Sequence, residues 1–524
     1  MKNSKLWSLT TIVLLLFQIG LELVAIYKIF QMNMLPPRYL AVLVGSLVLA
    51  VLLSAFLLLF RTSRDGAAGR NIRRGLGVLL IILTCVGSLF IASLVSKVKH
   101  TIGNVTEAKR DVKAVAAVYV LSDDRALKLA DSGEYRFGVM GNFDTDVTEY
   151  AVQYCREELQ RDITVISRPT IVENAEALYN GSIQALIVNE SYISLLDELE
   201  AYADFAERTR VLAEIPVPEK GPEKETAENA GTADANAGDP HAAGEGDSAD
   251  GVDREAAAVI RDAEAVTNTP FVMYISGSDS TSEMLSTGRS DVNILMAVNP
   301  QTKQILLVNT PRDYYIGNPA GDGAPDKLTH CGIYGVNCSI EALEDLYGIP
   351  VTYYSQINFT GFETLIDAVG GVTVDSEEAF STGAYSYVQG PNELNGAQAL
   401  AFARDRKHVT GGDNGRGKNQ MRVITALIRK ITSDKTILLT QYSAILNSLS
   451  GMFMTNMTSE EISELVKMQV NDMASWNISS YAATGTGSSN TTYSMPGTES
   501  YVMLPDTDSV EEAKKKLNEV LLIQ

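Results

Sequence analysis

Three apolar runs open the chain: Leu6 to Tyr27, Tyr39 to Phe60 and Gly75 to Val95. Each is close to the ~20 residues that cross the hydrocarbon core of a bilayer. A cleaved leader would show one shorter run ending in small residues, so the three together predict a helical membrane anchor over residues 1–100. Cations set its orientation, because short cytoplasmic loops carry the excess of Lys and Arg. Lys2 and Lys5 precede the first run, and Arg61, Arg64, Arg70, Arg73 and Arg74 fill the second loop, against Lys28 and Arg38 in the first. That asymmetry predicts a multi-pass protein of the cell membrane with its large C-terminal region on the extracellular face. Glu22, inside the first run, is costly against lipid and is expected to face another helix.

Beyond the anchor the chain is long enough for more than one core. Residues 101–215 alternate strands (Val115–Leu121, Tyr135–Met140, Ile163–Ile166, Ala185–Val188) with helices (Val147–Leu159, Val172–Leu178, Tyr192–Ala206), the rhythm of a small α/β accessory domain. Its acidic residues read as solvated helix faces, with no catalytic constellation among them. From about Pro216 to Gly251 the composition turns to Ala, Gly, Glu and Asp without apolar periodicity. Residues 216–268 are therefore expected to be a disordered acidic linker, closed by a helix from Asp253 to Ala265. Residues 269–524 mix helices and strands in an order that predicts an α-β-α sandwich, a central mixed sheet covered on both faces. Its strands begin at Phe271–Ile275, Val292–Val298 and Gln304–Asn309; a helix capped by Ser339 runs to Tyr347, and a long one covers Asn419–Ile431. Cys331 and Cys338 fall close together on the predicted outer side, where a disulfide and two free thiols are both open readings.

The net charge of −21 opposes a general binder of nucleic acid, whose phosphates demand a positive footprint. Against that background one basic run stands out, Arg404-Asp405-Arg406-Lys407-His408, followed by Gly411-Gly412-Asp413 and Arg416 to Arg422. Arg404 and Arg406, two apart on an extended segment, would point to one side. The glycines lead into a helix whose N-terminal N–H groups favour an anion, and a helix reaching back to Arg416 would align it with Gln420. Converging guanidiniums match phosphate oxygens in pairs. Gly412 to Lys418 fits the start of a P-loop, but Asn419 replaces the needed Ser or Thr, and the outer side lacks ATP.

Upstream, Asp279 closes one strand and Arg289-Ser290-Asp291 opens the next. Two carboxylates at neighbouring strand ends, without a His or Cys cluster, suit a hard cation such as Mg2+ that also binds substrate phosphates. Thr310-Pro311-Arg312-Asp313 directly after a strand, followed by Asp326-Lys327, would aim one more cation, Arg312, at the same edge. No zinc set and no nucleophile elbow accompany them.

In this order and spacing, Arg289-Ser290-Asp291, Pro311-Arg312-Asp313, Asp326-Lys327-Leu328, Gly370-Gly371-Val372 and Arg404-Asp405-Arg406-Lys407-His408, with Gly412-Asp413, Arg416 and Gln420, resemble the LytR-CpsA-Psr family over roughly 269–433. The three spans and small α/β domain ahead of it are similar to the capsule-associated CpsA branch; the acidic linker departs from it. The resemblance implies an α-β-α domain whose apolar interior holds a polyprenyl chain and whose mouth holds a pyrophosphate. It implies Asp279 and Asp291 as ligands of Mg2+, with Mn2+ as the alternative metal. Arg289, Arg312, Lys327, Arg404, Arg406, Arg416 and Gln420 would bind the pyrophosphate, with Asp413 supporting the arginines. Asp279, Asp291, Arg289, Arg404 and Arg406 would form the catalytic set.

The implied activity is a Mg-dependent phosphotransferase. A peptidoglycan hydroxyl attacks a polyprenyl-pyrophosphate-linked glycan (capsule, teichoic acid or similar), giving a phosphodiester and releasing polyprenyl phosphate. The implied partners are that lipid-linked glycan, the peptidoglycan acceptor, membrane lipid and the polysaccharide export machinery. The alternative is a non-catalytic membrane regulator that binds lipid-linked polysaccharide and tunes its export or a partner kinase. It would need the arginines but not both Asp279 and Asp291.

Overall fold

The computed structural model describes residues 2–32, 35–60, 67–106, 114–141, 143–217, 263–278, 285 and 287–522. Helices α1 (Lys2–Met32), α2 (Pro37–Leu59) and α3 (Ala67–Thr106) cover the apolar runs, and each contains a span long and apolar enough to cross a membrane. Arg61 and Arg64 lie outside the described residues, while α3 takes up Arg70, Arg73 and Arg74. Glu22 faces inward as expected. It accepts from Gln18 Nε2 at 2.9 Å, and the same amide reaches Thr84 of α3 at 3.1 Å. In an apolar bundle such groups find partners only in each other.

The accessory domain consists of β1 (Val115–Leu121), β2 (Arg136–Met140), α4 (Thr145–Leu159), β3 (Thr164–Arg168), α5 (Ile171–Tyr179), β4 (Ala185–Asn189) and β5 (Thr209–Pro216). Its five strands run in the order β3-β2-β4-β1-β5. β4 is buried along its whole length, as a central strand of apolar residues should be. The helix expected over Tyr192–Ala206 is instead four short turns, at Glu190–Tyr192, Ile193–Leu196, Glu200–Tyr202 and Phe205–Arg208. The unforeseen β5 then pairs antiparallel with β1. The apolar spacing of Tyr192, Leu195, Leu196 and Leu199 suits a helix, but tertiary contacts override it. Leu195 and Leu196 enter the core, whereas Glu198 beside them is drawn into ion pairs with the next domain. Of the expected linker, residues 218–262 lie outside the described residues, with nearly all of the helix expected from Asp253.

The C-terminal domain contains β6 (Phe271–Ser278), β7 (Ser290–Asn299), β8 (Gln304–Asn309), α6 (Val336–Tyr347), β9 (Tyr353–Asn358), α7 (Phe359–Ala368), α8 (Gly396–Arg404), α9 (Asp413–Ser433), α10 (Tyr442–Ser448), β10 (Phe453–Thr455), α11 (Ser459–Asp472), β11 (Asn477–Ala482) and α12 (Thr507–Leu521). Six strands form a mixed sheet in the order β10-β9-β6-β7-β8-β11. Side chains alternate across it. Val272 and Tyr274 of β6 pack on one face with Leu343 of α6 and Leu517 of α12. Phe271 and Met273 pack on the other with Met421 of α9, flanked by Ile462 and Leu465 of α11. This is the expected α-β-α sandwich.

Two local expectations change, and one open reading is decided. Helix α6 begins at Val336 after Gly335, whose φ of 104° suits glycine, so Ser339 is a buried helix residue and not the cap. Cys331 and Cys338 are free buried thiols, and Cys338 Sγ lies 3.2 Å from Asn318 Oδ1. Helix α9 starts at Asp413, six positions ahead of Asn419, and so carries Arg416 and Gln420 together. Finally, α3 packs against α10 and β10, which joins the apolar helices to the sandwich on the side of β9 and β10.

Candidate functional site: an arginine cluster at the mouth of an apolar cavity

Between the sheet and helices α7, α8 and α9 lies a cavity of about 250 Å3, walled by Met273, Val292, Phe362, Leu400, Ile424 and Phe453 among others. Polar groups gather among its lining residues: Ser276 and Ser278 of β6, Asn358, Arg404 and Gln420. Arg404 is the last residue of α8, and its guanidinium stacks 4.2 Å from the centre of the Phe359 ring. It is thus not on one extended segment with Arg406, which follows in a loop; both nonetheless line a second, open cavity of about 480 Å3.

Sheet ends and a helix start bring the other charges together. A register shift at Gly277/Ser278 delivers Asp291 near the start of β7. Arg312 Nη1 donates to Asp291 Oδ1 at 2.6 Å, from the turn that follows β8. Arg416 and Asp413 pair at 2.7 Å across the first turn of α9, without hydrogen-bond alignment. That turn can approach β8 because residue 417 is glycine: a Cβ there would stand 2.3 Å from the Asn309 side chain. Burial would raise the Asp291 pKa, but Arg312, Arg289 and Arg416 outweigh it and hold the carboxyl below its ordinary range. Burial lowers the Arg416 pKa, and the like charges of Arg312 and Arg406 add to the effect. The buried Nε atoms of Arg312 and Arg416 have no hydrogen-bond partner among the described residues. Crowded, under-satisfied guanidiniums of this kind are suited to an anion.

Lys327 and Arg289 belong to the same network, but both are already engaged. Glu198 of the accessory domain pairs with Lys327 Nζ, lies 3.4 Å from Arg289 Nη1 and lies 3.3 Å from His330 Nε2. Asp313 continues the chain of charges, 3.9 Å from Lys327 and 3.7 Å from Arg312. On the far side His330 Nδ1 meets Asp326 at 2.6 Å. Burial alone would raise the Glu198 pKa; its hydrogen bond and charge contacts with His330 and Lys327 reverse the shift, so the carboxylate stays ionised.

The expectation that acidic residues of the accessory domain are only solvated therefore fails at Glu198, and His330 joins the network although no motif pointed to it. No motif marked Glu198, which lies 91 positions from Arg289. The spacing of Asp405 and His408 was a signal available in the sequence: the two side chains meet at 2.7 Å.

Asp279 lies outside the described residues, and no group of three His, Cys, Asp or Glu side chains gathers as a metal cage among the described ones. Asp291, held below its ordinary range, and Asp413, whose Oδ1 has the Arg416 ion pair but no aligned hydrogen bond, are oxygen donors of the kind a hard cation takes.

Fold and site together define an α/β sandwich that presents an arginine cluster beside an apolar cavity and carries three helices able to cross a membrane. The chain belongs to the LytR_cpsA_psr family, whose profile matches residues 240–519, just over half of its length. A protein of Oceanobacillus iheyensis named polyisoprenyl-teichoic acid–peptidoglycan teichoic acid transferase TagU is 37% identical over 186 residues, 34% of this chain and 57% of the relative. Its namesake in Enterococcus faecalis is 33% identical over 198 residues, 37% and 64% of the two chains. The chain thus spans less than two thirds of the length of these curated relatives. The crystal structure of B. subtilis TagV aligns with 49% of this chain and 99% of its own, at 28% identity and a TM-score of 0.41.

Proposed function

We propose that this protein is a membrane-anchored phosphotransferase. It moves a glycan from a polyprenyl pyrophosphate carrier to a peptidoglycan hydroxyl on the extracellular side. The observation that carries this reading is the placement of Arg404 and Gln420 in the wall of an apolar cavity that lies against the arginine cluster. A lipid pyrophosphate asks for that pairing of a dry slot and a cationic mouth. The contact of α3 with α10 and β10 supports it, since Phe453 of β10 lines the cavity and a tail could enter from the bilayer. Similarity to proteins named teichoic acid transferases supports transfer over simple binding. The cation distribution around α1 to α3 supports the outward orientation.

In this mechanism Arg312, Arg406 and Arg416 hold the phosphate oxygens, and Arg404 bridges them to the tail. Phosphoryl transfer needs positioning and charge neutralisation more than covalent help. Asp291, together with Asp279, would hold Mg2+, which supplies further neutralisation of phosphate charge when bound. Arg289 and Lys327 share their charge with Glu198 and shape the field from behind.

The full-length protein with Mg2+ should release polyprenyl phosphate from a lipid-pyrophosphate glycan only when a wall oligosaccharide is supplied. Arg404→Ala and Asp291→Ala should each abolish release. Full activity in both variants would show the site to be elsewhere, and release without acceptor would mark a pyrophosphatase.

A further inference from the structure

The loop after α8 builds a second feature that the phosphate-binding set does not use. Asp405 accepts from the backbone N–H of His408 at 2.7 Å through Oδ1, and its Oδ2 lies 2.7 Å from His408 Nδ1. The carboxylate is nearly buried, at 6% exposure, whereas the imidazole is half-exposed. Burial would raise the Asp405 pKa, and its hydrogen bonds to His408 outweigh this and keep it ionised. A carboxylate on Nδ1 favours the tautomer that carries its proton there, in which Nε2 is the acceptor. Nε2 has no partner among the described residues. The loop is pinned further on, where Thr410 donates to Glu378 through N at 2.7 Å and Oγ1 at 2.8 Å.

That imidazole lines the open cavity of about 480 Å3, together with Glu363, Thr382, Tyr385, Arg404 and Arg406. The cavity shares Leu400 and Arg404 with the apolar cavity, so Arg404 stands between a dry compartment and a wet one. A phosphate held on Arg404 can be reached from both sides. The dry side suits a lipid tail. The other side offers an aromatic ring, a hydroxyl and a carboxylate in an open pocket, groups suited to a sugar ring and its hydroxyls.

We propose that this second cavity binds the saccharide acceptor and that His408 is the general base for its attacking hydroxyl. The inference rests on the phosphotransfer reading and supplies its missing base. In the step, the acceptor oxygen bonds to the phosphorus on the glycan side. The bond from that phosphorus to the bridging oxygen breaks, and polyprenyl phosphate leaves with the electron pair. The hydroxyl proton passes to His408 Nε2 and is later lost to solvent. Asp405 orients the ring and stabilises the imidazolium.

The test uses the full-length chain in detergent with Mg2+, a polyprenyl-pyrophosphate-linked glycan and a soluble peptidoglycan oligosaccharide. Absence of transfer by the wild-type chain would sink the phosphotransfer reading and this inference with it. Given wild-type transfer, His408→Gln should lower kcat about 100-fold or more, with donor affinity measured without acceptor held within about two-fold. His408→Ala should regain transfer when imidazole is added, a response that a purely structural turn would not give. Asp405→Asn should cost about 10-fold or more by releasing the tautomer. Transfer by His408→Gln within about two-fold of wild type, or a parallel loss of donor binding, overturns the role of His408 and leaves the phosphotransfer reading standing.

Discussion

Arg312 shows how single residues hold charge at the mouth. Its guanidinium donates to Asp291 at 2.6 Å, both side chains are mostly buried, and its Nε remains without a hydrogen-bond partner among the described residues. A buried pair of this kind contributes little net stability while intact, because desolvation offsets attraction, but breaking it strands a charge. Arg312→Met should therefore cost about 3–5 kcal/mol in chemical unfolding followed by tryptophan fluorescence. Adding Asp291→Asn should restore most of the loss, because the stranded charge is then gone. If the double variant is no more stable than the single one, charge is not what Arg312 contributes. Arg404 obeys a different rule, resting on the Phe359 ring where a cation gains from the aromatic face.

Among the elements, α9 has the largest part in building the site. Its first turn carries Asp413 and Arg416, Gln420 reaches the cavity lining one turn later, and Ile424 forms the apolar wall a further turn along. One helical face thus runs from anion site to lipid slot at a spacing of four. Ile424→Trp places a larger ring in the cavity, two turns of α9 beyond Arg416, and leaves every arginine in the chain. We expect a long-chain polyprenyl pyrophosphate to bind at least about 10-fold more weakly to this variant, with inorganic pyrophosphate bound as before. Equal weakening of both ligands in a titration would mean that the cavity is not the tail site.

For the whole molecule, the accessory domain and the sandwich share one interior. Tyr192, Leu195 and Leu196 pack with Ile333 and Met495 of the C-terminal domain, and Ser191 donates to the Thr287 carbonyl at 2.9 Å. Glu198 sits at this seam, so Glu198→Ala should lower the unfolding midpoint and leave Lys327 and Arg289 seeking other anions. The seam should also respond to pH. Burial would lower the His330 pKa, but Asp326 and Glu198 outweigh it and raise it from 6.5 to about 9. A raised pKa gives stability that is complete below 6.5 and lost as pH climbs through about 9. Glu198 is held below its ordinary 4.5, so its share is present above that value and lost as pH falls. The melting midpoint should peak between pH 4.5 and 6.5 and decline toward 9. His330→Gln should flatten the alkaline decline, and an unchanged pH profile in that variant would exclude His330 as its source.

Much was fixed by local sequence physics. The apolar runs determined three helices of membrane-crossing length, and strands such as Val115–Leu121 and Gln304–Asn309 could be bounded from β-branched runs and turns alone. The candidate cations were visible as a motif because charge stands out in an acidic chain. Tertiary structure decided the rest. It broke the helix expected after Tyr192, drew Glu198 into the second domain, moved the start of α9 back to Asp413 and set Arg404 between two cavities. Those outcomes depend on contacts between residues far apart in the chain, whose energies exceed local propensity and leave no periodic trace in the sequence.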